Sequence, residues 1–194
     1  MQKLAVLLSG SGRTLDNFHE RIQAGELQAE IQVVISNVAG VLGLEKAGRY
    51  GYPAFHAGDN KAINTILADY EIDLVVLAGY LQLYAPPKGL ERAVLNIHPS
   101  LIPSFCGKGY YGHHVHEAVR AKGCTVSGCT VHFANEEYDQ GPIVLQRCVE
   151  LDFDDGPDEI AAKVFAKECE VYPAAINLVD AKGVNFFWNR VEKS

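Results

Sequence analysis

An open, twisted, mostly parallel α/β sheet with helices on both faces, ending in antiparallel strands toward the C-terminus, is the architecture this 194-residue sequence predicts. Three observations carry it. In the first half, short apolar runs rich in β-branched residues alternate with amphipathic stretches, the pattern of βαβ units whose strands are buried on both faces. The run at residues 4–9 passes straight into Ser9-Gly10-Ser11-Gly12, a tight turn from strand to helix. After residue 124 the helical spacing gives way to two strand-like runs joined by a polar loop, which reads as an antiparallel pair.

Residues 4–9, 31–36, 74–79 and 94–98 read as buried strands. Between the first two, Leu15, Phe18 and Ile22 recur at three- and four-residue steps, so they share one apolar helix face that covers the sheet, and Gly25 is the stop. Residues 42–50 and 61–70 read as the next crossover helices, the second leading directly into the strand that begins at Leu74. Residues 130–133 and 143–150 form the antiparallel pair, and the loop between them ends in Asp139-Gln140-Gly141-Pro142. Asp155-Gly156-Pro157 starts a helix: proline is preset for the first turn, and Asp158 and Glu159 complement the dipole. Ile160, Val164 and Phe165 face inward. Pro173 is predicted to interrupt that helix and begin another, and residues 183–188 to add a last strand.

A chain of this length fits one domain, residues 1–194. Its 48% hydrophobic and 21% charged residues are those of a globular protein rather than a disordered one. A formal net charge of -7 argues against general affinity for nucleic acid or an anionic membrane, and an anionic small substrate then requires a local positive site. The five cysteines are odd in number and form no CxxC pair, which indicates neither a disulfide framework nor a zinc site and points to a reducing cytoplasm. The N-terminal apolar run is too short for a signal-peptide core. The most apolar stretch, residues 74–85, contains Gly79 and Gln82 and falls short of the ~20 residues a membrane span needs. An oligomer is compatible with the sequence but not predicted from it.

The most informative segment is Asn96-Ile97-His98-Pro99-Ser100. Strand side chains alternate faces, so Asn96 and His98 project together, at the carboxyl end of a strand where open α/β sheets bind ligands. An amide N–H suits a developing oxyanion and an imidazole suits proton transfer near neutral pH, a pairing fit for acyl transfer without a metal. The other reading is a turn-capping Asn96 and a hydrogen-bonded core histidine, and in isolation that reading is favoured. Asp139 is placed to orient an imidazole and favour its protonated form, although Asp-x-Gly-Pro is by itself an ordinary turn. His113, His114 and His116 fall on a glycine-rich loop and helix start, where exposure is expected. Gly12, Arg13 and Thr14 open the first helix. Their backbone N–H groups and the Arg13 guanidinium suit a phosphate about as well as they suit an unliganded turn. Leu15 stands where the dinucleotide fingerprint needs its third glycine, and the Walker lysine is absent.

Taken together, Asn96-Ile97-His98-Pro99-Ser100-Leu101-Ile102-Pro103 and the later Asp139-x-Gly-Pro resemble the signature of the folate-dependent formyltransferases. The similarity runs over about residues 1–180, and the early Ser-Gly-x-Gly loop is most similar to the branch that acts in purine synthesis. The resemblance implies a Rossmann-like formyltransferase fold. It also implies attack by the amine of glycinamide ribonucleotide on the formyl carbon of 10-formyltetrahydrofolate, a co-substrate, through a tetrahedral intermediate and with no metal. Asn96 would then donate to the oxyanion, His98 act as general acid or proton carrier, and Asp139 raise the imidazole pKa and relay protons, with His132 in support. By the same resemblance Gly12, Arg13, Thr14 and Glu168 fall where the family holds the ribonucleotide. Leu81, Gln82, Leu83 and Tyr84, with Asn135, Glu136, Glu137, Tyr138 and Asp139, match its folate-binding segments, and Leu83 and Leu95 would line the pterin slot beside Asn96. For these leucines core packing competes. The sequence departs from the pattern at Arg13-Thr14, at Gln82 and in the longer loop from Cys106 to Gly112. Two alternatives stand beside this reading: formylation of an amino sugar nucleotide, and a non-catalytic nucleotide- or folate-binding module.

Overall fold

The computed structural model describes residues 1–192. Five strands run parallel: β1 (Gln2–Leu8), β2 (Ala29–Ser36), β3 (Ala54–His56), β4 (Leu74–Leu77) and β5 (Val94–His98). They alternate with helices α1 (Arg13–Gln23), α2 (Leu42–Arg49) and α3 (Asn60–Leu67). Helix α4 (His113–Lys122) then leads to β6 (Val126–Phe133) and β7 (Ile143–Glu150), which close the sheet antiparallel. The strand order is β3-β2-β1-β4-β5-β6-β7. The parallel strands read as continuous apolar runs because both faces are covered: Leu4 to Leu8 are 0% exposed. One face packs Leu15 and Phe18 of α1 and Ile160, Val164 and Ile176 of α5 (Pro157–Lys182), and the other packs Ile63 and Leu67 of α3.

Three features differ from the sequence-based expectations. Strand β3 was not predicted, because three residues, one half-buried and two exposed, leave no periodic signal. Helix α5 runs unbroken through Pro173. Proline in a helix interior costs ~3 kcal/mol, but Val171, Tyr172, Ala175 and Ile176 around it are at most 2% exposed, and burial stabilises by ~1.5–3 kcal/mol per large apolar side chain. Residues 183–188 form no strand; α6 (Val184–Glu192) is a helix. Its Val184, Phe187 and Trp188 recur at helical spacing and pack on the core, Phe187 against the Phe133 ring at 5.8 Å between centroids.

Tyr172 fixes α5 against the sheet where the site lies. Its ring meets Phe18 edge-on at 5.0 Å, and its hydroxyl donates to the carbonyls of Leu77 (3.1 Å) and Leu95 (3.0 Å) on the neighbouring strands β4 and β5.

Candidate active site

The carboxyl ends of β1, β4 and β5 open into a cavity of about 780 Å³, walled by the start of α1, the 77–84 and 134–139 segments, the 107–113 loop and one face of α5. Its floor is a cluster of four polar side chains. Asn96 and His132 are cross-strand partners in the β5–β6 register, and the Asn96 amide donates to His132 Nε2 at 3.2 Å. His98 and His132 are 3% and 1% exposed. His98 Nε2–H donates to the Phe105 carbonyl (2.8 Å), and His132 Nδ1–H to the Phe133 carbonyl (2.9 Å). Those two bonds assign the tautomers, so the second nitrogen of each ring carries a lone pair when neutral. Both second nitrogens face one carboxylate: His98 Nδ1 lies 3.5 Å from Asp139 Oδ2, and His132 Nε2 lies 3.4 Å from Asp139 Oδ1.

Asp139 reaches this position through a left-handed backbone, φ 60, and its Oδ2 also accepts from the Gly107 N–H at 2.8 Å. The turn closes because residue 141 is glycine: a Cβ there would sit 1.8 Å from the Phe133 carbonyl oxygen. Burial works to raise the Asp139 carboxyl, but the neighbouring His132 and His98 rings and the Gly107 amide together outweigh it and hold the group below its ordinary range. It is a carboxylate at neutral pH. For His98 the balance goes the other way. Burial lowers the imidazole pKa more than Asp139 and the Phe105 carbonyl raise it, and His132 lowers it further. Asp139 does push the His98 pKa upward, as expected of it, but desolvation, of which the sequence carries no measure, outweighs it, and the resting ring is neutral.

On the opposite wall the structure brings Gly12, Arg13, Thr14 and Glu168 to the cavity. Gly12 adopts φ +72 and a Cβ there would lie 2.7 Å from the Gly43 Cα, so only glycine fits the turn that starts α1. Burial raises the Glu168 carboxyl to about 7, against the opposing influence of Arg13. Leu81, Gln82, Leu83, Tyr84, Asn135, Glu137 and Tyr138 also line the cavity. Leu81 and Leu83 stay 64% and 42% exposed, an apolar surface suited to a flat ring system. Tyr84 is anchored instead, its hydroxyl donating to the Asn64 side chain at 2.8 Å. Two expected residues do not reach the cavity. Leu95 is 0% exposed and points into the core, because it alternates with Asn96 along β5, and Glu136 lies off the wall.

Sequence reasoning missed Lys108, Tyr110 and Tyr111 of the 107–113 loop, which line the cavity; alternating glycines around a lysine and two aromatics were the available signal. It also placed His116 in solvent. His116 is 6% exposed, sharing an inward face of α4 with Val115 and Val119, and its Nδ1 has no partner. Among the described residues no group of three His, Cys, Asp or Glu side chains is arranged to hold a metal ion.

Burial, helped by His113 and His98, pushes the His116 imidazole down to about 4. The folded state thus prefers the neutral ring, while the unfolded chain protonates near the ordinary 6.5. His116 consequently penalises folding increasingly as pH drops below 6.5, and the penalty is complete below about 4. Replacing His116 by Leu should reduce the loss of stability between pH 7 and pH 4.5 by about 2 kcal/mol. Urea unfolding at the two pH values checks this, and equal losses in the variant and the parent would refute the assignment.

An amide, an imidazole and a carboxylate gathered at the carboxyl edge of an α/β sheet, with a cleft above them, suit a group-transfer enzyme working on a carbonyl carbon. The chain belongs to the formyl transferase family, whose model matches residues 2–176. It is 37% identical over 188 residues to phosphoribosylglycinamide formyltransferase of Haemophilus influenzae, covering 91% of this chain and 86% of that one. It is 40% identical over 182 residues to the chloroplastic phosphoribosylglycinamide formyltransferase of Vigna unguiculata, covering 88% of this chain. The chain spans only 58% of that plant relative's length and 65% of the Arabidopsis thaliana one. Among solved structures, phosphoribosylglycinamide formyltransferase of Anaplasma phagocytophilum superposes with a TM-score of 0.84 at 33% identity, covering 93% of this chain and 88% of that one. A formyltetrahydrofolate deformylase of Pseudomonas putida shares the fold at TM-score 0.76 and 27% identity, covering 90% of this chain and 64% of that one.

Proposed function

We propose that the protein transfers the formyl group of 10-formyltetrahydrofolate to the amine of glycinamide ribonucleotide, a step of purine synthesis. The observation that carries the reading is the convergence of Asn96, His98 and Asp139 at the base of one cavity. The exposed leucines at 81 and 83 are suited to cover the pterin ring, and the Gly12–Thr14 turn with Arg13 to hold the ribonucleotide phosphate, beside Glu168.

Within that reading the side chains divide the chemistry. Asn96 donates to the oxygen of the formyl group as negative charge develops on it. The attacking amine becomes positive and must lose a proton. The neutral His98 ring accepts it, and the Asp139 carboxylate beside Nδ1 stabilises the imidazolium until the proton passes to the leaving nitrogen of the folate. His132 keeps Asn96 and Asp139 in register from the other side. We place the protein in the cytoplasm as a single formyltransferase domain acting on small molecules, a setting compatible with five free cysteines. No helix among the described residues is long and apolar enough to cross a membrane.

A second reading is hydrolysis, with water in place of the amine, which the fold shared with the Pseudomonas putida deformylase favours. One assay separates the possibilities. The protein is mixed with 10-formyltetrahydrofolate alone, with glycinamide ribonucleotide, or with an amino sugar nucleotide, and deformylated folate is followed. Turnover confined to the glycinamide ribonucleotide arm is expected. Turnover without an amine would establish the hydrolase, turnover with the amino sugar the other transferase, and none in any arm a binding module.

A further inference from the structure

Arg13 is an unusual cation. It stands exposed on the cavity wall at the first turn of α1, and among the described residues it forms neither an ion pair nor a side-chain hydrogen bond. It is nonetheless held: its guanidinium carbon lies 4.1 Å above the centre of the Phe165 ring, from the other side of the cleft wall. Phe165 is half-buried on α5 and lines the same cavity, one helical turn before Glu168. A guanidinium stacked on an aromatic face keeps its five N–H donors in the plane, free of protein acceptors, while losing the conformational freedom that makes an exposed arginine a poor ligand. Glycine at position 12 leaves the first amides of α1 uncapped by any side chain beside it.

We propose that Phe165 is a positioning residue that presents Arg13 as the planar, bidentate half of an anion site, the α1 amides forming the other half, for the phosphate monoester of the acceptor substrate. The identity of that acceptor rests on the function proposed above; the binding of a phosphate does not. A bidentate guanidinium matches two phosphate oxygens, and the helix start supplies donors to a third. Phe165 itself touches no ligand. Its contribution is to remove the rotamers in which Arg13 would swing into solvent, so its loss acts only through Arg13.

The test compares Phe165→Leu, which keeps an apolar side chain but removes the π face, with Phe165→Tyr, which retains the ring. Each is made in the full-length chain and, for Leu, also in an Arg13→Ala background. The readouts are the dissociation constant of inorganic phosphate, from chemical-shift titration, and separate KM and kcat values for both substrates. Phe165→Leu should weaken phosphate binding and raise the acceptor KM roughly three- to tenfold, with a far smaller change in kcat and in the folate KM. Phe165→Tyr should restore both values, and in the Arg13→Ala background Phe165→Leu should add nothing. Unchanged phosphate affinity in Phe165→Leu, or an equal loss when Arg13 is already absent, overturns the proposal. Phosphate binding that follows this pattern in a protein inactive toward glycinamide ribonucleotide would keep the proposal and reject that substrate.

Discussion

Replacing His98 by Ala should lower kcat by ~10²–10⁴ and leave both KM values within a few-fold. Among the described residues the ring is the only imidazole whose free nitrogen faces Asp139 Oδ2, and it is poised as a proton acceptor because burial keeps it neutral. His132 cannot substitute, since its free nitrogen already takes the Asn96 amide. The variant leaves the cavity intact, so substrates still bind while the proton of the attacking amine has no near acceptor. Steady-state kinetics with both substrates saturating provide the check. A His98→Ala enzyme with near-parental kcat would remove His98 from the chemistry altogether.

Asp139→Asn should be nearly as damaging, with kcat reduced by about 10² or more. The amide keeps an acceptor for the Gly107 N–H, so the loop has no need to move, but it removes the charge that stabilises the protonated His98 ring. The pH profile adds a sign that a purely structural lesion does not predict. Asp139 pushes the His98 pKa upward, so its loss lets desolvation lower that pKa further. Because activity needs the neutral ring, the acid limb of kcat/KM lies below the ordinary imidazole range in the parent and moves to still lower pH in Asp139→Asn. An acid limb that stays in place or rises would contradict the roles assigned to the pair.

Much of this arrangement was legible in the sequence where one local rule decided it. The apolar runs of β1, β2 and β4 identified themselves because both faces are covered, and the period of two along β5 put Asn96 and His98 on one side. The same period, applied consistently, would have turned Leu95 away from the cleft. What could not be read depended on distant packing. Nothing local tells Pro173 that the surrounding turn is buried deeply enough to keep the helix whole. The direction of the His98 shift depends on how thoroughly β6 and the Asp139 loop exclude water from it, not on its having a carboxylate neighbour. Phe165 was expected to face inward, and only the fold brings it beneath a guanidinium from the opposite end of the chain.

Tyr172 sits one helical turn beyond Glu168, and its hydroxyl clasps the backbones of both strands beneath the chemistry. The spacing between the wall that grips the acceptor and the strand that carries Asn96 is therefore built into solid interior rather than into surface segments. Changes in the 107–113 loop can reshape which molecules enter without stretching the gap that nucleophile and formyl carbon must cross, so such an enzyme can change its diet and keep its aim.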